Sequence, residues 1–329
     1  KARMKFLLKD VGLDGFLQLI EEEKLALSYH SYPISEEGFE FDRSVVDSIS
    51  VPKVDLKDVD GYEKWRNSNV YQQKQEGLFS IGIKVRLGDF YTDKARKLAS
   101  LIQRYAADEL RLTLRQDILI RHVKADLLPL FYLELKELGF TDLGYNSTAD
   151  ITACPGTDTC KLGIASSRGL AAELREMLTP KQLELDEAVQ NIRIKISGCF
   201  NSCGQHHIAD LGFYGNSRTF KGYKVPHFQV VLGGKWSENA GEFGLAMGAI
   251  PSKNIPKVVI KLTEYYVDNR KNIDESFQEF YSNMKKSDIK SLIIDFTDIP
   301  PYLEDSDFYT DWGDPRVFTL GDMGVGECA

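Results

Sequence analysis

The sequence predicts an α+β protein built in more than one part, and three observations carry that prediction. Residues 77–143 show strand and helix patterns in the order β-α-β-(β)-α. Four of the five cysteines fall between Cys154 and Cys203, in two short pairs set in loops. Residues 29–70 lose hydrophobic periodicity, so they are expected to form a strap joining the first apolar segment to the rest.

In chain order, residues 1–28 read as helix. Leu7, Leu8, Val11, Phe16, Leu19, Ile20, Leu25 and Leu27 are its apolar positions, and Gly12 and Gly15 are expected to break it in two. It opens with the character of a helix already under way, so the 329 residues are expected to be part of a longer protein. The strap contains Tyr32-Pro33, Glu36-Glu37-Gly38, Pro52 and a run of Asp and Lys up to Gly61. A strand follows at 77–88, with Phe79, Ile81, Ile83, Val85 and Leu87 on one face. Thr92 or Asp93 caps a helix to Tyr105, with Ala95, Leu98, Ala99, Leu101 and Ile102 apolar. Residues 110–123 read as two short strands interrupted by Arg115-Gln116-Asp117, and a helix over 125–138 stops at Gly139. This order is one unit of ferredoxin-like α+β type.

Beyond residue 144 the pattern becomes α/β. A helix is expected over 162–178 and a strand over 191–197, leading into Cys199. Strands are expected at 208–214 and 226–232, and helices at 255–270 and 275–285. The tail after Pro300-Pro301, rich in Asp, Gly and aromatics, should wrap the surface. The expected division is 1–70, 71–143 and 144–329.

Composition narrows the function classes. The chain is 43% hydrophobic and 27% charged, in the globular range. A net charge of −8 argues against a general nucleic-acid or membrane-surface protein. No apolar run approaches the roughly 18 residues of a membrane span. Lys9 and Asp10 cut short the first apolar run, so it does not read as a convincing signal peptide. Five cysteines is an odd number for a disulfide framework, and a reducing, cytoplasmic setting with metal-bound thiolates is expected.

The cysteines are spaced Cys154-x5-Cys160 and Cys199-x3-Cys203, among Gly, Pro, Thr, Ser and Asn, which let backbone approach a bulky inorganic group. Zinc sites usually repeat Cys-x2–4-Cys. The longer first gap suits a loop around one corner of a larger cluster, so four thiolates on an iron–sulfur cluster is the leading reading. Structural zinc, and unrelated core or redox cysteines, are the rivals.

The stretch Ala-Cys154-Pro-Gly-Thr-Asp-Thr-Cys160-Lys161-Leu-Gly, followed by Ser-Gly-Cys199-x-Asn201-x-Cys203, resembles the sirohaem-dependent sulfite and nitrite reductases. Leu110-Arg-Leu-Thr-Leu-Arg115-Gln116 and the ending Gly324-Val-Gly-Glu-Cys328-Ala fit as well, and the resemblance runs from about residue 75 onward. It implies a ferredoxin-like half-domain followed by an α/β domain that binds a [4Fe-4S] cluster and sirohaem. Cys154, Cys160, Cys199 and Cys203 would bind the cluster, and Cys203 would also bridge it to the sirohaem iron. The iron's free face would take sulfite, the leading substrate, or nitrite, with electrons from ferredoxin or a flavoprotein.

Sirohaem carries many carboxylates, so its burial demands cations and polar donors. The candidates are Arg115, Arg121, Lys161, Arg193, Lys195 and Lys235, with Asn201 and Gln205 as neutral donors. Arg115 and Lys161 are the candidate catalytic cations, and Arg115 leads because it breaks an apolar strand pattern. For each of these the plainer alternative is a solvated strand or helix face. His206-His207 reads as packed or supporting before it reads as a ligand or proton donor, and Cys328 as structural or incidental. The family is built of two similar halves, and this chain shows one. The resemblance therefore implies a C-terminal half that needs a partner half and is nearly inactive alone. The rival function is a non-catalytic iron–sulfur electron-transfer module.

Overall fold

The computed structural model describes residues 4–27, 42–54, 60–106, 109–181 and 184–321. The expected features at 32–38, the C-terminal motif and Cys328 lie outside the described residues. The chain divides into two units, the first holding α1 (Met4–Ala26) and the second beginning at Ser44. Within α1 the helix breaks at Gly12, where φ is 74° and ψ 175°, whereas Gly15 stays helical. Glycine supplies that backbone conformation without a Cβ clash. No helix among the described residues is long and apolar enough to cross a membrane.

The second unit starts with elements that sequence periodicity missed. These are α2 (Arg43–Asp47), α3 (Tyr62–Asn69) and β1 (Val70–Gln72). Then come β2 (Leu78–Ile83), α4 (Thr92–Tyr105), β3 (Leu110–Leu112), β4 (Ile118–Lys124) and α5 (Leu128–Leu138). The four strands form one antiparallel sheet in the order β1-β2-β4-β3. Ile81, Ile83, Ile118 and Ile120 pack against Leu98, Leu101 and Ile102 of α4 and Phe131 and Leu135 of α5. By strand alternation Arg111, Leu119 and Arg121 turn to the opposite face. Leu87, expected on the strand, instead lies in a 3-10 turn with φ 54° and packs against the other core.

Part of the expected strap therefore belongs to this half-domain. Trp65 is 1% exposed, and its ring lies 5.3 Å from Tyr132 of α5. The sequence hid this because a short helix with one apolar anchor has no readable period. Trp65→Ala should cost about 3–5 kcal/mol of stability, read as a lower urea midpoint. An unchanged midpoint would return residues 62–69 to the strap.

The cysteine-bearing part is built on a mixed sheet in the order β5-β6-β7-β8-β9. Its strands are β5 (Thr152–Ala153), β6 (Ile194–Ser197), β7 (Leu211–Phe220), β8 (Tyr223–Leu232) and β9 (Leu245–Pro251). β5–β6 and β6–β7 are parallel, and the other two pairs antiparallel. The helix α6 (Ser167–Leu178), with the short α7 (Glu187–Gln190), makes the crossover from β5 to β6. After α8 (Ser237–Ala240) and β9 come α9 (Ile255–Asn269), α10 (Phe277–Ser282) and α11 (Lys286–Ile293). The core gathers Leu170, Leu174, Ile194, Ile196, Phe213, Phe228, Val258 and Tyr266. The sequence reading missed β9 and α11 and shortened β7 and β8, which form one long hairpin. The tail adds a small pair, β10 (Thr310–Asp311) and β11 (Asp314–Val317).

Candidate functional site

Both cysteine pairs leave the sheet at neighbouring strand ends. Cys154 follows β5, and its amide donates to Ile196 O of β6 at 3.1 Å. Cys199 lies just past the end of β6. Cys160 N donates to Gly156 O at 2.9 Å, closing the first loop. Ile164 N and Ala165 N both donate to Gly198 O, tying the first loop to the second. Helix α6 therefore starts at Ser167, five residues later than the pattern predicts, because the backbone before it is committed to these bonds.

The two loops meet through glycines. A Cβ on Gly198 would lie 2.7 Å from Gly156 Cα, so only glycine permits the approach. Gly198 N donates to Cys154 Sγ at 3.1 Å, and Ser167 Oγ donates to Cys154 O at 2.8 Å. Burial raises the Cys199 thiol, opposed by hydrogen bonds from the Asn201 backbone and side chain. Cys154 and Cys160 lie near enough to add to that rise. Asn201 thus serves Cys199. None of the four cysteines is in a disulfide; Cys154 and Cys199 are buried, Cys160 and Cys203 exposed. Among the described residues no three His, Cys, Asp or Glu side chains converge on one point as a single ion would require.

His206 accounts for itself structurally. It is 4% exposed, its Nδ1 lies 2.9 Å from Ser197 Oγ, and Ser197 Oγ accepts from Gly204 N at 3.1 Å. Burial, with neighbouring His207, pushes its pKa down to about 4. It holds the base of the second loop as a neutral ring.

A second group of residues lies beside these loops, drawn from the β3–β4 turn of the half-domain and from the segment of β6. The turn between β3 and β4 is built on Thr113, whose Oγ1 accepts from Arg115 N and Asp117 N, each at 3.2 Å. Arg115 sits at its tip, with its Cζ 5.6 Å from the ring centre of Trp236. Arg193, the residue just before β6, lies 5.1 Å from the same ring. Lys195 projects from the same face of β6 as Arg193, opposite Ile194 and Ile196, and donates to Gln205 Oε1 at 3.0 Å. Arg193 and Lys195 are each 6% exposed. Burial and the Arg115 charge lower Lys195 to about 8 and Arg193 to about 10. Arg115 Nη1 and Arg193 Nε are buried with no hydrogen-bond partner.

Two buried cations with a third, half-buried one beside them need anions. Asp210, raised by burial to about 6, accepts from Arg193 N at 2.7 Å. Behind the group, Asp117 and Asp150 form a buried acid pair beside Lys84 and Arg175; burial and Asp150 raise Asp117 well above the carboxylate range. Periodicity gave no sign of this pair or of Trp236, since both depend on chain segments far apart in sequence. Trp236 does adjoin the candidate Lys235.

The other candidates go elsewhere. Arg121 pairs with Glu109, which also holds Arg111 at 2.6 Å. Lys161 is exposed beside Cys160, and the charge of Lys235 acts on Glu279. Beside the first cysteine loop lies a cavity of about 820 Å³, walled by Cys160, Arg168, Asp311, Trp312 and Arg316.

The donor set fits the groups that the sequence implied. Four thiol side chains on interlocked glycine loops suit an iron–sulfur cluster. Orphaned guanidinium N–H groups beside a buried lysine suit a polycarboxylate or an oxyanion.

Comparison with known proteins agrees. Residues 71–138 match the nitrite/sulfite reductase ferredoxin-like half domain, and residues 144–277 match the nitrite and sulphite reductase 4Fe-4S domain. The ferredoxin–nitrite reductase of Synechococcus elongatus is 29% identical over 80% of this chain and 46% of its own length. Sulfite reductase [ferredoxin] 1 of Mycolicibacterium paratuberculosis is 28% identical over 84% of this chain and 46% of its own. The NirA structure from Mycobacterium tuberculosis superposes with a TM-score of 0.62 at 26% identity, covering 88% of this chain and 49% of that one. The chain thus spans about half the length of the curated relatives it matches. It belongs to the sirohaem-dependent sulfite and nitrite reductase family, whose cofactors are a [4Fe-4S] cluster and sirohaem.

Proposed function

We propose that this chain is the cluster-bearing half of a sulfite reductase that takes electrons from ferredoxin and reduces sulfite to sulfide. The observation that carries the reading is the grouping of the half-buried Arg115 with the buried Arg193 and Lys195 beside the cysteine segments, with Lys195 hydrogen-bonded to Gln205 just past Cys203 and Gln116 hydrogen-bonded to Ala153 just before Cys154. Cys154, Cys160, Cys199 and Cys203 would hold the cluster, with Cys203 also reaching the sirohaem. Bound together, the two cofactors would supply electrons and an iron at which the oxyanion is reduced. Arg115 and Arg193 supply N–H donors for carboxylate or oxyanion oxygens. Lys195 Nζ, lowered to about 8, carries a proton at neutral pH that it can release to the oxyanion as it is reduced. Arg121, Lys161 and Lys235 are the outer candidates for contacts from the complementary half.

That half would complete the pocket, and the isolated 329-residue chain should turn over little by itself. Nitrite, reduced to ammonia, is the second reading, favoured by the nitrite reductase relative at 29% identity. Anaerobic reconstitution, with and without the complementary half, tests the proposal. Cluster and sirohaem absorption with sulfide as product is the expected result. Zinc without iron would overturn it, as would cluster absorption without sirohaem bands, the mark of an electron-transfer module. Ammonia formed from nitrite, with sulfite untouched, would decide for the second reading.

A further inference from the structure

Gln116 joins the turn carrying Arg115 to β5, the strand that leads into Cys154, through a paired contact. Its Nε2 donates to Ala153 O at 2.8 Å, and its Oε1 accepts from Ala153 N at 3.1 Å. β5 is the edge strand of its sheet, so these two backbone groups face away from β6. The side-chain amide fills the place of a further strand, offering the donor and acceptor that such a strand would present. Cys154 is then held from two directions, by its own amide on Ile196 O and by Ala153 on Gln116.

The contact has a local cost. Gln116 adopts φ 71°, the left-handed region that non-glycine residues rarely occupy. Gln116 N donates to Thr113 O at 3.2 Å, within the turn that Thr113 organises. Strain of this kind persists where surrounding contacts over-determine it. Gly88 approaches the same amide, and a Cβ there would lie 3.5 Å from Gln116 Nε2.

The geometry points to Gln116 as a positioning residue that locks the Arg115 turn and the Cys154 loop in one register. It sets the distance between the anion-binding cations and the cluster. This inference rests on the reading of the cysteines as cluster ligands, and its test separates the two. Gln116→Met keeps the length of the side chain and removes both polar groups. Gln116→Glu restores the donor–acceptor pair only while its carboxyl is protonated, because the ionised form cannot donate to Ala153 O.

Three readouts on the cluster-loaded full chain decide it: deuterium exchange at the Ala153 amide, iron release to a chelator, and affinity for inorganic sulfate. In Q116M, exchange should rise by roughly fivefold or more, the loss expected for one ordinary hydrogen bond. Iron release should quicken and sulfate binding weaken with Arg115 itself unaltered. In Q116E, iron release relative to the unsubstituted chain at the same pH should be near normal at low pH and faster as pH rises. A space-filling role would give no such new pH dependence. Unchanged Ala153 exchange in Q116M, or a flat Q116E profile, would overturn the clamp. If no cluster loads, the exchange result alone decides the clamp, and it is the cofactor reading that fails.

Discussion

Cys199→Ser should strip the cluster from the chain and leave the fold in place. The thiol is buried at the end of β6 and receives hydrogen bonds from the Asn201 backbone and side chain. Serine is nearly isosteric, and its hydroxyl can accept those same bonds, so the loop should keep its shape. A neutral alcohol is a poor iron ligand beside a thiolate. The cluster's charge-transfer absorption and its iron should both be almost wholly lost, while circular dichroism and the urea midpoint stay close to those of the unsubstituted chain freed of its cluster. Full iron content in C199S would remove the basis for the four-cysteine assignment. Cys160→Ser and Cys203→Ser should behave alike, with less structural risk because both side chains are exposed.

The second large effect concerns Lys195. Burial, then the Arg115 and Arg193 charges, hold it down to about 8, opposed by Asp150 and Asp210. Without a bound anion, the folded chain resists protonating this amine. Between about pH 8 and the unfolded value of 10.5 the unfolded chain binds more protons, so stability rises with pH across that window. An oxyanion reverses the balance, because it favours the charged amine. Affinity for sulfate should therefore be flat below about pH 8 and fall by up to about tenfold per pH unit above it. Sulfate is the useful probe because it does not itself titrate in this range. Lys195→Met should weaken sulfate binding at pH 7 and flatten the decline above pH 8, both read by calorimetric titration. A K195M profile that still falls above pH 8 would assign the proton to another group.

Half of this site could be read from the sequence and half could not. Cys154, Cys160, Cys199 and Cys203 were legible as candidate cluster ligands through spacing, because short loop spacings are local, and the structure brings the two pairs out at neighbouring strand ends. Arg115 was legible for a related reason: it interrupts an apolar alternation, and the structure places it at the tip of the expected turn. The six cations named from the sequence could not be ranked there. All sit in polar or strand contexts of similar character, and the structure separates Arg115, Arg193 and Lys195 from the rest by where their elements meet. Arg121 has the same residue type on the same hairpin, yet alternation turns it toward Glu109. Trp65 shows the same limit for the fold, since its partner Tyr132 lies far along the chain.

By itself, then, the sequence determined the α+β class, most of the helices and strands, the four cysteines and the family they belong to. These follow from local periodicity, turn chemistry and short spacings. Tertiary structure alone decided which cations gather in one place, that two guanidinium groups approach the ring of Trp236, and that Gln116 closes the edge of β5 beside Cys154. Those relations depend on strand order and on contacts between distant segments. The energy of burying a charge is set by what surrounds it in space, and no spacing along the chain records that.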